Sequence, residues 1–259
     1  MRRDKVQSTW HVPSHATMER DGFVWMWGFA DAEPTRPPVA LPVVDGPGAG
    51  EAVFRCDLES TLRASTENAL DVPHTAYLHR GLFRGGATRT ITAIRRPIED
   101  GAEVQYLGEP VGMGPIRLSG ESGRTLDHWD RFLLPSTAQI EYAVDGWFRI
   151  VNTIVQLPLA PFRTRAWFVV RFSSRLPAPL VRVAVRQQGR RILRQDADAL
   201  ARQTERARQF GGERYASTEL DMLGTAIWRL LRHAELVEQS SGADLPPVTI
   251  SEREVVFEA

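Results

Sequence analysis

The order of the periodic segments constrains this chain most: strand-like alternation comes first and long helical spacing last. Thr88 to Ile94 alternates apolar with polar residues and leads to the turn pair Asp100-Gly101. Ala138 to Val144 alternates into Asp145-Gly146, and Trp147 to Val155 resumes beyond it, a hairpin with its turn signal in place. Arg165 to Phe172 reads as a further strand. From Pro177 and Pro179 an Arg-laced helix runs to about Gln209, Gly211-Gly212 breaks it, and Ser217-Thr-Glu-Leu opens a second helix reaching about Glu238. The tail is polar and weakly strand-like at Val248 to Ile250. Strands followed by long helices predict an α+β domain, an antiparallel sheet wrapped around a helix. Residues 59–80 are the exception in the strand-rich body, with helical spacing that Pro73 interrupts.

Ahead of that body stands one strand, Gly22 to Phe29, where Phe23, Trp25 and Trp27 alternate with Val24 and Met26. A connector with Pro34, Pro37, Pro38 and Pro42 and the stretch Asp45-Gly-Pro-Gly-Ala-Gly follow it. The expected division is a small segment and linker over 1–45 and a main domain over 46–259.

Composition removes several function classes. The 259 residues carry 32 basic and 32 acidic side chains, so no net charge favours nucleic acid. Lys5 is the single lysine. One cysteine, Cys56, excludes an intrachain disulfide, a thiolate zinc site and an iron–sulfur cluster held by this chain's own thiolates. Cys56 itself reads as a buried or edge-strand residue without a role. The N-terminus lacks an apolar h-region, and no run approaches the roughly 18 apolar residues of a membrane helix. The expectation is a soluble cytoplasmic protein with no membrane span.

Six histidines are the first candidates for chemistry. His11 and His15 flank Pro13 in a polar segment and read as solvated. His128, in Asp127-His-Trp-Asp130, reads as a turn or edge residue with satisfied hydrogen bonds. His233 suits the end of the last helix, where a cation meets the helix dipole. Trp129, Trp147, Trp167 and Phe83 could line a cavity, although core filling is the ordinary reading of each. The run Glu67-Asn68-Ala-Leu-Asp71-Val-Pro-His74-Thr-Ala-Tyr-Leu-His79 is different, because polar metal-capable side chains recur among apolar ones. Asp71 and His74, three apart, share a helix face. His79 follows His74 by five, about 140° round a regular helix, so a break or π-type turn near Pro73 is needed to aim both rings at one point.

A carboxylate comes from the late helix. In Ile192-Leu193-Arg194-Gln195-Asp196-Ala197-Asp198-Ala199-Leu200, Asp196 has apolar residues one turn before and after it and faces inward. Asp198 lies between Arg194 and Arg202 on a solvated face. An inward carboxylate requires strong donors or a cation, the cation being either a core arginine or a metal. Two histidines and one such carboxylate make up a facial triad, which leaves positions open on non-haem Fe(II) for O₂ and substrate.

The pattern Glu67-Asn68-x-x-Asp71-x-x-His74-x-x-x-x-His79, with Gln195-Asp196 downstream, resembles the mononuclear iron motif of Rieske non-haem iron oxygenase α subunits. Leu134-Pro135-Ser136 and Pro161-Phe-Arg-Thr-Arg165 also look like that family, and Arg20-Asp-Gly-Phe-Val-Trp25 resembles the last strand of its Rieske domain. The resemblance covers about residues 15 to 238. It implies a helix-grip (START/Bet v1-like) catalytic domain preceded by a remnant strand of a Rieske-like domain. It implies Fe(2+) held by His74, His79 and Asp196. Asp71 would link an iron-bound histidine to a neighbouring subunit's cluster, and Asn68 would be a supporting residue. The family's Cys-x-His and Cys-x-x-His pair for a [2Fe–2S] cluster is missing from this sequence. The resemblance therefore implies a homotrimer or hetero-oligomer served by a separate Rieske or ferredoxin/reductase protein, with O₂ as co-substrate and a small apolar or aromatic substrate to be hydroxylated or demethylated. The Arg182, Arg186, Arg190, Arg191 stripe could dock an acidic partner. Two further readings stay open: a helix-grip ligand-binding protein without turnover, and a truncated form of a full Rieske oxygenase.

Overall fold

A computed structural model describes residues 11–79, 90–109, 112–113, 116–117, 125–239 and 246–258. The chain divides into two compact units, up to Pro42 and from Val43 onward. In the first, β1 (Thr17–Arg20) and β2 (Phe23–Met26) pair as an antiparallel hairpin. The single strand expected over Gly22–Phe29 is therefore a hairpin arm that ends at Met26. Asp21 and Gly22 both take positive φ, 54° and 78°, which makes Asp-Gly the two-residue turn and begins the second arm at Phe23.

The second unit is built on an eight-stranded antiparallel sheet. Its strands are β3 (Gly50–Leu58), β4 (Thr90–Ile98), β5 (Gly101–Leu107), β8 (Asp127–Leu133), β9 (Thr137–Val144), β10 (Phe148–Ala160), β11 (Arg163–Ser174) and β12 (Arg253–Glu258). They lie in the order β12-β4-β5-β8-β9-β10-β11-β3. The two-residue strands β6 (Gly112–Met113) and β7 (Ile116–Arg117) pair separately. Both Asp-Gly turns fall where the alternation places them, between β4 and β5 and between β9 and β10. Thr88 and Phe83 lie outside the described residues.

The unit has four helices, α1 (Leu62–Ala69), α2 (Val72–Leu78), α3 (Ala178–Gln209) and α4 (Gly224–Gln239), of which α1, α3 and α4 pack on the sheet. Phe132, Ala166 and Ile154 from the sheet meet Leu200 of α3 and Leu223, Ala226 and Ile227 around the start of α4. This is the α+β architecture expected from strands first and helices last, and it agrees with the helix-grip domain that the family resemblance implies. Two boundaries differ from expectation. The Ser217 segment stays irregular until Gly224, because the Asp221 carboxylate accepts from the Thr218 backbone N–H and Thr218 Oγ1 from that of Leu220. Such local bonds compete with the helical ladder. Residues 248–250 form no strand; β12 starts at Arg253. Buried Arg95 donates to the Ser251 carbonyl at 3.2 Å and the Met222 carbonyl at 2.9 Å, fixing the tail before it joins the sheet edge.

Cys56 lies on β3, the edge strand opposite β12, and burial, with the charges of Asp57 and Asp196, pushes its thiol up to about 11. It stays a thiol at neutral pH. No helix among the described residues is long and apolar enough to cross a membrane.

Candidate metal centre

The break required near Pro73 is present. Leu70 caps α1, and Asp71 is the N-cap of α2, with Pro73 in the first turn, where its missing N–H goes unused. His74 then sits on α2 and His79 is its C-cap, outside regular helical geometry. This places the two Nε2 atoms 3.3 Å apart although the residues are five apart. Asp196 reaches the same point from α3, its Oδ1 3.1 Å from His79 Nε2 and 3.7 Å from His74 Nε2. Asp198 is exposed, as its flanking arginines imply.

The residues behind the triad set its chemistry. His79 is 2 % exposed, and its Nδ1 donates to Gln195 Oε1 at 2.9 Å. The Nδ1 of His74 donates to the Asp71 backbone carbonyl, with the Asp71 carboxylate 3.8 Å away. Each ring thus spends its Nδ1–H on an oxygen acceptor and aims its Nε2 lone pair inward. Asp196 Oδ1 is buried with no hydrogen-bond partner. A buried carboxylate oxygen facing two imine nitrogens is a donor set that suits a cation. The three sides of the triangle are the separations of ligand atoms that each lie roughly 2.0–2.2 Å from one shared ion. The site fits a divalent metal bound by two nitrogens and one carboxylate. Burial disfavours a charged His79 ring, but Asp196 and Gln195 together hold its pKa above the ordinary value; an ion would take that proton's place.

The triad opens on a cavity of about 520 Å³ between the sheet and α3. Phe54, Ile140, Ile150, Ile154, Phe168 and Val185 belong to its apolar wall, with Asn68, Tyr142, Asn152 and Gln156 among the polar points. Among the tryptophans, Trp129 lies between the Arg96 and Arg131 guanidinium groups, away from the cavity lining. Asp71 also faces a second, polar cleft of about 370 Å³ with Glu67, Asn68, Tyr215 and Asp221. Its side chain is 38 % exposed. Burial, together with the Asp221, Asp130 and Glu67 charges, pushes its pKa up to about 6, against the opposing hydrogen bond at His74.

A family model, the vanillate O-demethylase oxygenase C-terminal domain, matches residues 58–238. The chain belongs to this family. It is thereby related to the Rieske-type oxygenases, which are oxidoreductases. Solved structures share the fold at low identity. Dicamba monooxygenase bound to dicamba matches with TM-score 0.69 and 16% identity over 87% of this chain and 70% of that one. NdmA of Pseudomonas putida CBB5, as a QL mutant with theobromine, matches with TM-score 0.65 and 13% identity over 92% of this chain. The match spans 66% of the NdmA chain, a little under two thirds. NdmB of the same organism matches with TM-score 0.60 and 15% identity, over 87% of this chain and 62% of that one. No curated protein sequence matches the chain.

Of the residues singled out by sequence, His74, His79 and Asp196 meet at one point, Asp71 stands behind His74, and Asn68 lies in the wall of both cavities. In sequence Gln195 stands out only through the family resemblance; its task as the acceptor for His79 needs the structure. His128 is a correction: it is neither turn nor edge but completely buried on β8, in the middle of the sheet. It lies between Glu109 Oε2 at 2.8 Å and Asp130 Oδ1 at 3.1 Å. His11 and His15 bond Asp31 and the Trp27 carbonyl, and His233 bonds the Pro246 carbonyl. Arg182 of the arginine stripe donates to the Glu51 carbonyl, while Arg186, Arg190 and Arg191 are exposed.

Proposed function

We propose that this chain is the catalytic portion of a non-haem Fe(II) oxygenase that hydroxylates or oxidatively demethylates a small apolar or aromatic molecule with O₂. The observation that carries this reading is the convergence of His74 Nε2, His79 Nε2 and the unpartnered Asp196 Oδ1, with both Nδ1–H groups already committed. When bound there, ferrous iron supplies the site for O₂ activation, with coordination positions left open by only three protein ligands.

The chain's own residues do the rest. Gln195 and the Asp71 carbonyl hold the two rings in the Nε2-free tautomer. Phe54, Ile140, Ile154 and Phe168 enclose the substrate and exclude water beside the triad. Electrons come from a cluster held outside these 259 residues, on a Rieske or ferredoxin-type protein, in a trimeric or mixed assembly. Asp71 suits the electron path, since it touches His74 on one side and the polar cleft on the other. Asn68 lines the same cleft as a supporting residue.

The test is metal content after anaerobic purification, wild type against Asp196→Ala. The expected result is about one iron per chain, lost in the variant. Equal iron in both proteins removes the triad assignment. A folded protein that takes up apolar ligands but no iron is instead a helix-grip binding protein.

A further inference from the structure

Three buried side-chain oxygens among the described residues have no hydrogen-bond partner: Ser60 Oγ, Asn152 Oδ1 and Asp196 Oδ1. Asp196 and Asn152 line the large cavity, and Ser60 does not. The metal reading accounts for Asp196, which leaves Asn152 to be explained. Its Nδ2 makes no hydrogen bond to the described residues either. Gln156, four residues further along β10 and on the same face of the strand, also lines the cavity but has both ends of its amide engaged. Its Oε1 accepts from Ser65 Oγ at 2.5 Å and its Nε2 donates to Thr66 Oγ1 at 2.8 Å. One amide of β10 thus ties the sheet to α1, and the other is tied to nothing.

The surroundings of Asn152 make this placement expensive. Its cross-strand partners are Ile140 of β9 and Val170 of β11, and Ile150 and Ile154 flank it on the same face of β10. All four line the cavity with it. Asparagine is disfavoured within strands. A buried carbonyl oxygen without a donor is also worse for stability than an apolar group of the same shape. Neither strand propensity nor packing therefore accounts for an amide here. What the position supplies is one polar point in an apolar stretch of wall, the kind of group that orients a bound small molecule. The terminal torsion of an asparagine side chain is soft, so rotation about it can aim Oδ1 at a ligand.

We infer that Asn152 is a specificity-determining residue of this cavity, whose Oδ1 accepts a hydrogen bond from an O–H or N–H group on an otherwise apolar substrate. This deepens the oxygenase reading and rests on it for the word substrate. A site built to pair with a substrate hydroxyl rejects an analogue without that donor, because the site's own polar atom is then left unpaired. The same unpaired atom weakens the ligand-free fold, so Asn152 holds specificity at the expense of stability.

The experiment compares benzyl alcohol with benzaldehyde, which are similar in size and polarity but differ in the O–H donor. Calorimetric titration of the metal-free protein at pH 7 gives both affinities, so that neither probe can ligate iron. Wild type is expected to prefer the alcohol by roughly ten-fold. Asn152→Leu, close to isosteric, should bring that preference near unity, and Asn152→Ala does the same if the leucine variant fails to fold. Asn152→Leu should also raise the melting temperature of the ligand-free protein, since an unpaired polar group gives way to an apolar one. A preference unchanged in a folded variant overturns the assignment, as does an equal loss of affinity for both probes, which would mean that no donor is read. A melting temperature lowered in Asn152→Leu would mean that the amide supports the fold, and overturns it too. Neither measurement needs iron, so failure of this assignment and failure of the oxygenase reading are separate results.

Discussion

Gln195 and Asp196 are adjacent on α3, and they act on the same histidine from opposite ends: Gln195 Oε1 accepts from Nδ1 of His79 at 2.9 Å, and Asp196 Oδ1 faces its Nε2 at 3.1 Å. One turn of helix thus delivers both a candidate ligand and the group that orients another candidate ligand. Removing the acceptor frees the ring to rotate or to change tautomer. Gln195→Leu should weaken metal binding by roughly 10- to 100-fold, the usual loss when such a supporting partner is removed. Gln195→Glu should retain the bond and the affinity. Anaerobic titration with Co(II), followed by its visible absorption, checks both; a leucine variant with wild-type affinity removes Gln195 from the site.

Asp71 holds His74 through its backbone carbonyl, and its carboxylate stands 3.8 Å off. Replacing the side chain leaves the stronger contact in place. Asp71→Asn should keep its iron and its fold but lose most turnover supported by an electron-donor protein. Single-turnover and steady-state assays against iron content separate the two. Normal steady-state turnover in the variant would remove Asp71 from the electron path.

Gly189 lies in the middle of the 32-residue α3, where glycine costs up to about 1 kcal/mol relative to alanine. The reason is Phe54: a Cβ at position 189 would meet its Cζ at 2.9 Å. Phe54 also lines the cavity. Gly189→Ala should gain helix propensity and lose it again to overpacking, typically 1–3 kcal/mol. The expected outcome is a melting temperature lower by a few degrees, unchanged iron content and benzyl alcohol binding weakened several-fold. Unchanged binding would show that the ring does not move into the cavity.

The convergence of His74, His79 and Asp196, the candidate metal site, was legible in sequence because each part of it has a local cause. Pro73 breaks the helix that would otherwise point His74 and His79 apart, and the apolar neighbours of Asp196 turn it inward. What escaped reading depended on side chains distant in sequence or on polar side chains that bond their own backbone. Thr218 and Asp221 satisfy backbone N–H groups and delay α4 by seven residues from Ser217 to Gly224, a competition that composition does not rank. Asp127-His-Trp-Asp130 does carry a usable signal, since residues 128 and 130 share one strand face. Which face of β8 is inward, and that Glu109 meets the ring, is decided by pairing with β5 and β9.

His128 makes a pH prediction whose sign is fixed by its partners. Burial disfavours the charged ring, but the Asp130 charge and the hydrogen bonds to Asp130 and Glu109 outweigh it and raise the pKa to about 9. The ordinary value, which applies to the unfolded chain, is 6.5. Below that value both states hold the proton and the stabilisation is complete. Between 6.5 and 9 the folded state alone retains it, so stability falls as pH rises, and above 9 the contribution is gone. The loss across this window is on the order of 3 kcal/mol. Asp130→Asn removes the main source of the shift and should flatten the decline by at least half. Urea midpoints of wild type and variant from pH 6 to 10 measure this directly. The Cys56 thiol, raised to about 11, also weakens the fold at the alkaline end, but equally in both proteins, so it cancels in the difference. Parallel curves for the two proteins would mean that His128 is neutral in the folded state, with one of its flanking carboxyls protonated instead.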